Sequence, residues 1–274
     1  MARKKNIPSS SINSERAKLK EAQDDHIAGR YHLAEKKFRS ILTRHPRLVQ
    51  AQIGLSVNLC AQGKNQEAWT IAEPLLNFEN YKAQPIDLGN LSWVARQSGR
   101  FVEAATFGEA AVALKADYAL GWLNLSATYR DLRRLTESEV AARRAIEIQP
   151  NYHGGHLNLG NVFLDRGLHN QAEESMRKAR DCKPDEAHNW NNLLFCMVNN
   201  VSRSAEDIYI EAEKFGKQFV APNIHDKKFT LPKPIKKLNV GFVSGDFRAH
   251  AVSYFLDPLL ARLNRDAFRI FLYS

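Results

Sequence analysis

The sequence predicts a mainly α protein: a superhelix of stacked helical hairpins, followed by a truncated α/β segment. Three observations carry this prediction. Asn90, Asn124, Asn158 and Asn192 stand 34 residues apart, each directly before a leucine. Glycines and prolines punctuate the chain at a matching interval: Gly29, Gly63, Gly99 and Gly167 where a first helix would end, Pro46, Pro150 and Pro184 where a second would stop,. Beyond residue 237 the chain turns to a short apolar run, a turn, an amphipathic stretch and a second apolar run, the pattern of a parallel crossover unit,.

Each repeat can be read around its asparagine. Counted from Ala119, the residues Trp122, Leu125, Tyr129, Ala145 and Pro150 supply a bulky packing residue, two apolar contacts, a small residue and a terminator. The next unit, from His153, keeps phase with Leu159, Gly160, Phe163, Gly167, Ala172, Ala179 and Pro184. Upstream, Gly29 with Ala34, Phe38 and Pro46, Gly63 with Ala68 and Ala72, and Gly99 with Ala104 and Ala111 give weaker copies. This makes five hairpins. Ala187 opens a sixth, in which Trp190 and Leu193 match before the phase is lost near Asn199 and Asn200, so the solenoid is expected over 15–200. A 34-residue helix–turn–helix period is the signature of the tetratricopeptide repeat.

Small residues at Ala68, Ala104, Ala145, Ala172 and Ala179 are expected where helices approach closely, with the large apolar side chains filling the space between. No repeat buries its apolar face alone, so the end units need caps. The first unit, with Asp24, Asp25, His26 and Arg30, is polar enough to be one. Residues 1–14 carry Arg3, Lys4 and Lys5 without a following apolar stretch, which excludes a secretory signal and predicts a disordered leader,.

A chain of 274 residues, 44% hydrophobic and 25% charged, can bury a large core and contains no apolar run long enough for a membrane span,. Cys60, Cys182 and Cys196 are odd in number and lack metal-ligand spacing, as expected of thiols in a reducing cytoplasm,. Charge is uneven. Residues 1–50 carry a net +7, residues 51–200 a net −2 and residues 201–274 a net +4. The near-neutral repeats, whose aromatic residues sit at packing positions and not among lysines, argue against nucleic acid as a partner.

The asparagine ladder points to peptide. A carboxamide offers an acceptor oxygen and two N–H donors, matching the C=O and N–H of each peptide unit, so Asn90, Asn124, Asn158 and Asn192 in a row can hold an extended chain without reading its side chains. Alternatively, each asparagine bonds to the neighbouring repeat and tightens the stack. Both roles fit the spacing.

Residues 201–237 form a joining helix and linker. Ser204 sits at an N-cap with Asp207 three residues on, and Ile208, Ala212, Phe215 and Phe219 recur at helical spacing; Pro222 to Lys237 is basic and proline-bearing,. Over 238–274, Leu238–Val243 reads as a strand, Ser244–Phe247 as a turn, Val252–Leu263 as a helix and Phe268–Tyr273 as a second strand. The stretch LNVGFVSGDFRAHAVSYFLDPLLARLNRDAFRIFLYS resembles the opening of the catalytic region of the O-GlcNAc transferases, above all their bacterial members, and SAEDIYIEAEKFGKQF resembles that family's joining helix.

The resemblance implies a GT-B fold, of which 238–274 would be the first Rossmann-like β-α-β unit. It also implies transfer of N-acetylglucosamine from UDP-GlcNAc to serine or threonine hydroxyls without metal or cofactor. It assigns Asp246 and His250 to the active site. Both follow the carboxyl end of a strand, where ligands bind in open α/β sheets, and either could receive the acceptor's proton. Asp246 could equally stabilise its turn, and His250 the start of a helix. Where many bacterial members carry a histidine in the joining helix, this chain has Ala212. A lone β-α-β unit cannot cover both faces of its strands, so the 274 residues are expected to be an inactive piece of a longer enzyme. The expected partners are extended peptides or proteins and, through the repeats, a second copy of the chain; a non-catalytic scaffold is the alternative.

Overall fold

The computed structural model describes residues 9–77, 84–219, 237–244 and 251–273. The chain divides into two compact bodies, 1–219 and 220–274. The first is all helical: α1 (Ser9–Ile27), α2 (Tyr31–Arg44), α3 (Val49–Ala61), α4 (Asn65–Ala72, continued by a 3-10 turn Glu73–Asn77), α5 (Pro85–Gln97), α6 (Phe101–Leu114), α7 (Ala119–Asp131), α8 (Leu135–Ile148), α9 (His153–Asp165), α10 (His169–Cys182), α11 (Ala187–Val198) and α12 (Ala205–Phe219). Residues 9–14, read from sequence as leader, begin α1; residues 1–8 lie outside the described residues.

Turns at the ends of the first helices explain the glycine punctuation. Gly29, Gly63, Gly99 and Gly167 hold φ between 74° and 76°, the left-handed conformation that glycine adopts without a Cβ clash,. The fourth unit has Arg133 there, at φ 60°.

The alanines behave as expected: Ala68, Ala104, Ala145, Ala172 and Ala179 are fully buried. Glycines on the first helices admit large neighbours the same way. A Cβ on Gly54 would meet the Phe38 ring at 2.6 Å, and one on Gly160 would meet Met176 Cγ at 2.9 Å. A polar device recurs four residues into the first helices. Trp122 Nε1 donates to Ala116 O at 2.9 Å and Trp190 Nε1 to Pro184 O at 2.8 Å, while Gln52 Nε2 donates to Pro46 O at 3.0 Å. His156 Nε2 lies 2.9 Å from Pro150 O, and because a carbonyl only accepts, that nitrogen carries the proton,. The bulky position thus also satisfies a carbonyl in the turn before its helix.

Asp25 in the first unit is buried and not a solvated cap residue. Lys37 Nζ lies 2.8 Å from it and Arg30 2.7 Å, and hydrogen bonds from Lys37 and then Arg30 lower its pKa.

The stack continues past the expected end at residue 200. α12, read from sequence as a joining helix, packs on α11 as the second helix of a sixth pair. Ser204 and Asp207 form a reciprocal capping box, Asp207 N donating to Ser204 Oγ at 3.1 Å and Ser204 N to Asp207 Oδ2 at 3.0 Å,. Ile208 packs against the cluster of Met176, Leu193 and Met197, and the Phe215 ring lies 6.3 Å from that of Trp190. Two buried carboxylates tie the last helices together. Glu211 accepts from Arg177 at 3.0 Å and from Arg180, and Glu173 accepts from Arg177, Arg203 and Asn200. Burial raises the pKa of both, but the guanidinium partners more than offset it and the net shift is downward.

In the second body, β1 (Leu238–Val243) pairs in parallel with β2 (Phe268–Tyr273), Leu238 opposite Phe268 and Val243 opposite Tyr273. α13 (Ala251–Arg262) lies between them in sequence. Leu238, Val243, Leu259 and Leu272 are exposed. The linker expected over 222–237 falls outside the described residues except Lys237.

Candidate functional site

Successive first helices α3, α5, α7, α9 and α11 touch one another in turn, whereas the second helices pack mainly against the first helices on either side. The layer whose members lie closest together is the inner face of a curved stack, so the first helices form it. On each of them the residues left at least partly exposed follow an i, i+4, i+7, i+11 pattern, one stripe of an α-helix. On α5 the stripe is Ile86, Asn90, Trp93 and Gln97; on α7 it is Leu120, Asn124, Ala127 and Asp131. On α9 it is Gly154, Asn158, Asn161 and Asp165; on α11, His188, Asn192, Phe195 and Asn199. The four asparagines singled out in the sequence therefore occupy one position of a four-by-four grid.

Their amides are not equivalent. Asn158 Nδ2 donates to Leu123 O at 3.0 Å and Asn124 Nδ2 to Gly89 O at 3.4 Å, each reaching the preceding first helix. Asn192 Nδ2 donates to His188 O within its own helix at 2.8 Å. Asn90 makes no side-chain hydrogen bond among the described residues. Stacking thus occupies one donor of Asn124 and Asn158, while their oxygens and the whole Asn90 amide remain for a ligand.

Charge on this face is held in pairs between neighbouring repeats. Arg96 Nε donates to Asp131 Oδ2 at 2.6 Å and Arg130 Nε to Asp165 Oδ2 at 2.8 Å, with Arg133 Nη1 3.4 Å from the same oxygen. Paired ions leave little net field for a charged ligand. Apolar side chains stand clear beside them: Ile86 is 59% exposed, Leu120 41% and Phe195 65%. Sequence reasoning found the asparagines by their period but missed these neighbours, although Ile86, Leu120, Gly154 and His188 share the same 34-residue spacing.

Asp246 and His250 lie outside the described residues, in the segment between β1 and α13. Among the described residues there is no cluster of three or more metal-ligating side chains, and no helix is long and apolar enough to cross a membrane.

Residues 119–152 match the tetratricopeptide repeat family. No curated protein matches the chain. Among solved structures, PilW, a type IV pilus biogenesis factor, is 14% identical with a TM-score of 0.65, over 75% of this chain and 94% of that one. A thermophilic TPR protein from Thermus thermophilus is 18% identical with a TM-score of 0.55, over 67% and 99%. A mutant O-GlcNAc transferase of Thermobaculum terrenum is 22% identical with a TM-score of 0.51; the match takes in 69% of this chain but spans only 37% of the transferase. The unit at 119–152 is a tetratricopeptide repeat, and the helical body has the fold of solved proteins built from such repeats.

Proposed function

We propose that the inner face of the repeats binds extended polypeptide, and that it does so for an O-GlcNAc transferase-like protein that moves N-acetylglucosamine from UDP-GlcNAc to serine or threonine hydroxyls. The observation that carries the first half is the register of Asn90, Asn124, Asn158 and Asn192 on four adjacent helices, with carboxamide atoms left over after stacking. Tetratricopeptide repeats as a class mediate protein–protein contact. Support for the second half is the SGDFRAH stretch directly after a strand paired in parallel with its successor. In this proposal Asp246 and His250 border the reacting hydroxyl, and one of them takes its proton as the oxygen attacks the sugar's anomeric carbon and the bond from that carbon to the diphosphate oxygen breaks, releasing UDP. A scaffold without chemistry is the second reading, favoured by the fold of PilW and the Thermus protein.

One pair of assays tests both halves. Fluorescein-labelled extended peptides titrated with the 274-residue chain are expected to bind saturably, and more weakly to Asn90→Ala. Transfer of radiolabelled GlcNAc to a serine-containing peptide, assayed with a protein that carries these residues together with a donor-binding lobe and lost in its Asp246→Asn and His250→Ala variants, supports the enzyme. Binding without transfer leaves the scaffold, and absence of binding removes the proposal.

A further inference from the structure

We infer that the inner face selects peptides in the polyproline II conformation with apolar side chains three residues apart, read by Ile86 and Leu120; this rests on the peptide-binding role proposed above. The two side chains occupy the same position of successive first helices, 34 residues apart, and both are exposed. Each stands one turn before an asparagine of the ladder, Asn90 or Asn124. No such side chain follows in the next two repeats, where the position holds Gly154 and His188. A Cβ on Gly154 would lie 3.2 Å from Leu123 Cδ2. At this position the apolar side chains are therefore confined to α5 and α7, while Phe195 on α11 stands at another.

Spacing decides the ligand's conformation. Packed helices stand about 8–10 Å apart, so Ile86 and Leu120 present two apolar contacts at about that separation. A polyproline II chain advances about 3.1 Å per residue with three residues per turn, placing side chains i and i+3 on one side about 9 Å apart. A β-strand puts i and i+2 on one side about 7 Å apart and i and i+4 about 13 Å apart, and points i+3 to the opposite side. Only the first geometry meets both readers at once. That conformation has no internal hydrogen bonds, so its peptide groups are open to asparagine amides. Asn90, unpartnered among the described residues and one turn from Ile86, can accept from one backbone N–H of the ligand and donate to one backbone C=O. The nearby charges offer an ionic ligand no counter-charge, because Arg96 is held by Asp131 and Arg130 by Asp165.

The experiment uses fluorescein-labelled twelve-residue peptides of glycine, serine and proline carrying two leucines spaced i,i+2, i,i+3 or i,i+4, titrated by anisotropy against the 274-residue chain. The i,i+3 peptide is expected to bind at least fivefold more tightly than the other two. Ile86→Ser with Leu120→Ser is expected to abolish that preference, so that the three peptides bind alike, and circular dichroism checks that the fold is retained. Equal affinity for all three spacings, or a preference that survives the double substitution, overturns the inference and leaves peptide binding standing. If no peptide binds, peptide binding falls with it.

Discussion

Replacing Asn124 and Asn158 together by alanine separates the structural share of the ladder from its binding share. Asn158 gives up a 3.0 Å bond to Leu123 O, and Asn124 a longer one, 3.4 Å, to Gly89 O. A net intramolecular hydrogen bond contributes about 0.5–1.5 kcal/mol, and the longer bond lies near the limit of useful geometry, so the pair should cost about 1–2 kcal/mol. For a body of this size, that corresponds to a melting point lower by roughly 2–8 °C. Asn90→Ala loses no such bond and should melt like the parent. Thermal denaturation followed at 222 nm measures both, with hydrogen exchange on α7 and α9 reporting whether the loss is local. A double variant as stable as the parent, or an Asn90→Ala variant that falls as far, would refute the division of labour among these amides.

Four further outcomes follow from the packing. Glu211→Ala removes the carboxylate that Arg177 and Arg180 share, leaving Arg177 with Glu173 and Arg180 with Asp181; losing these charged hydrogen bonds costs about 1.5–3 kcal/mol, and hydrogen exchange should show protection lost first in α12,. Gly160→Ala would gain about 1 kcal/mol of helix propensity but overpack Met176 and the Ala172 carbonyl by about 1–3 kcal/mol, so urea denaturation should show a net loss,. Arg133→Gly relieves a left-handed non-glycine residue and should stabilise by about 1 kcal/mol, because the lost Arg133–Asp165 pair is exposed and contributes little,. Glu35 is held at a pKa of about 2 by Lys64, then Gln62 and Arg39, against its burial. Its folded pKa is depressed, so its contribution is present above pH 4.5 and lost as pH falls toward 2; Glu35→Gln should be less stable at pH 7 and converge with the parent near pH 2,.

The helical pairs were legible because glycine, proline and alanine recur where backbone geometry and close approach demand them. Leu238–Val243 and Phe268–Tyr273 were legible as strands because both are short apolar runs bounded by turn residues. The capping box could be read from Ser204 and Asp207 alone. The sixth pair was obscured because the longer connection before α12 breaks the 34-residue phase, and because Ile208 stands where the preceding pair has Ala172. Glu173 and Glu211 could not be placed by hydropathy, since a carboxylate reads as surface until its guanidinium partners are known. The ladder's inequality was invisible for a related reason: four identical residues at one spacing differ only in which carbonyl each can reach.

That the second helices meet chiefly the first helices on either side has a mechanical consequence. Between α4 and α10, bending the stack opens or closes gaps along its outer rim, where few bonds resist, while the guanidinium–carboxylate rungs from α5 to α9 hold the inner face together. The solenoid should therefore yield like a leaf spring, changing curvature around a groove whose rung-to-rung interval stays fixed. A bound chain would then sense the same ruler whether the spring is relaxed or flexed.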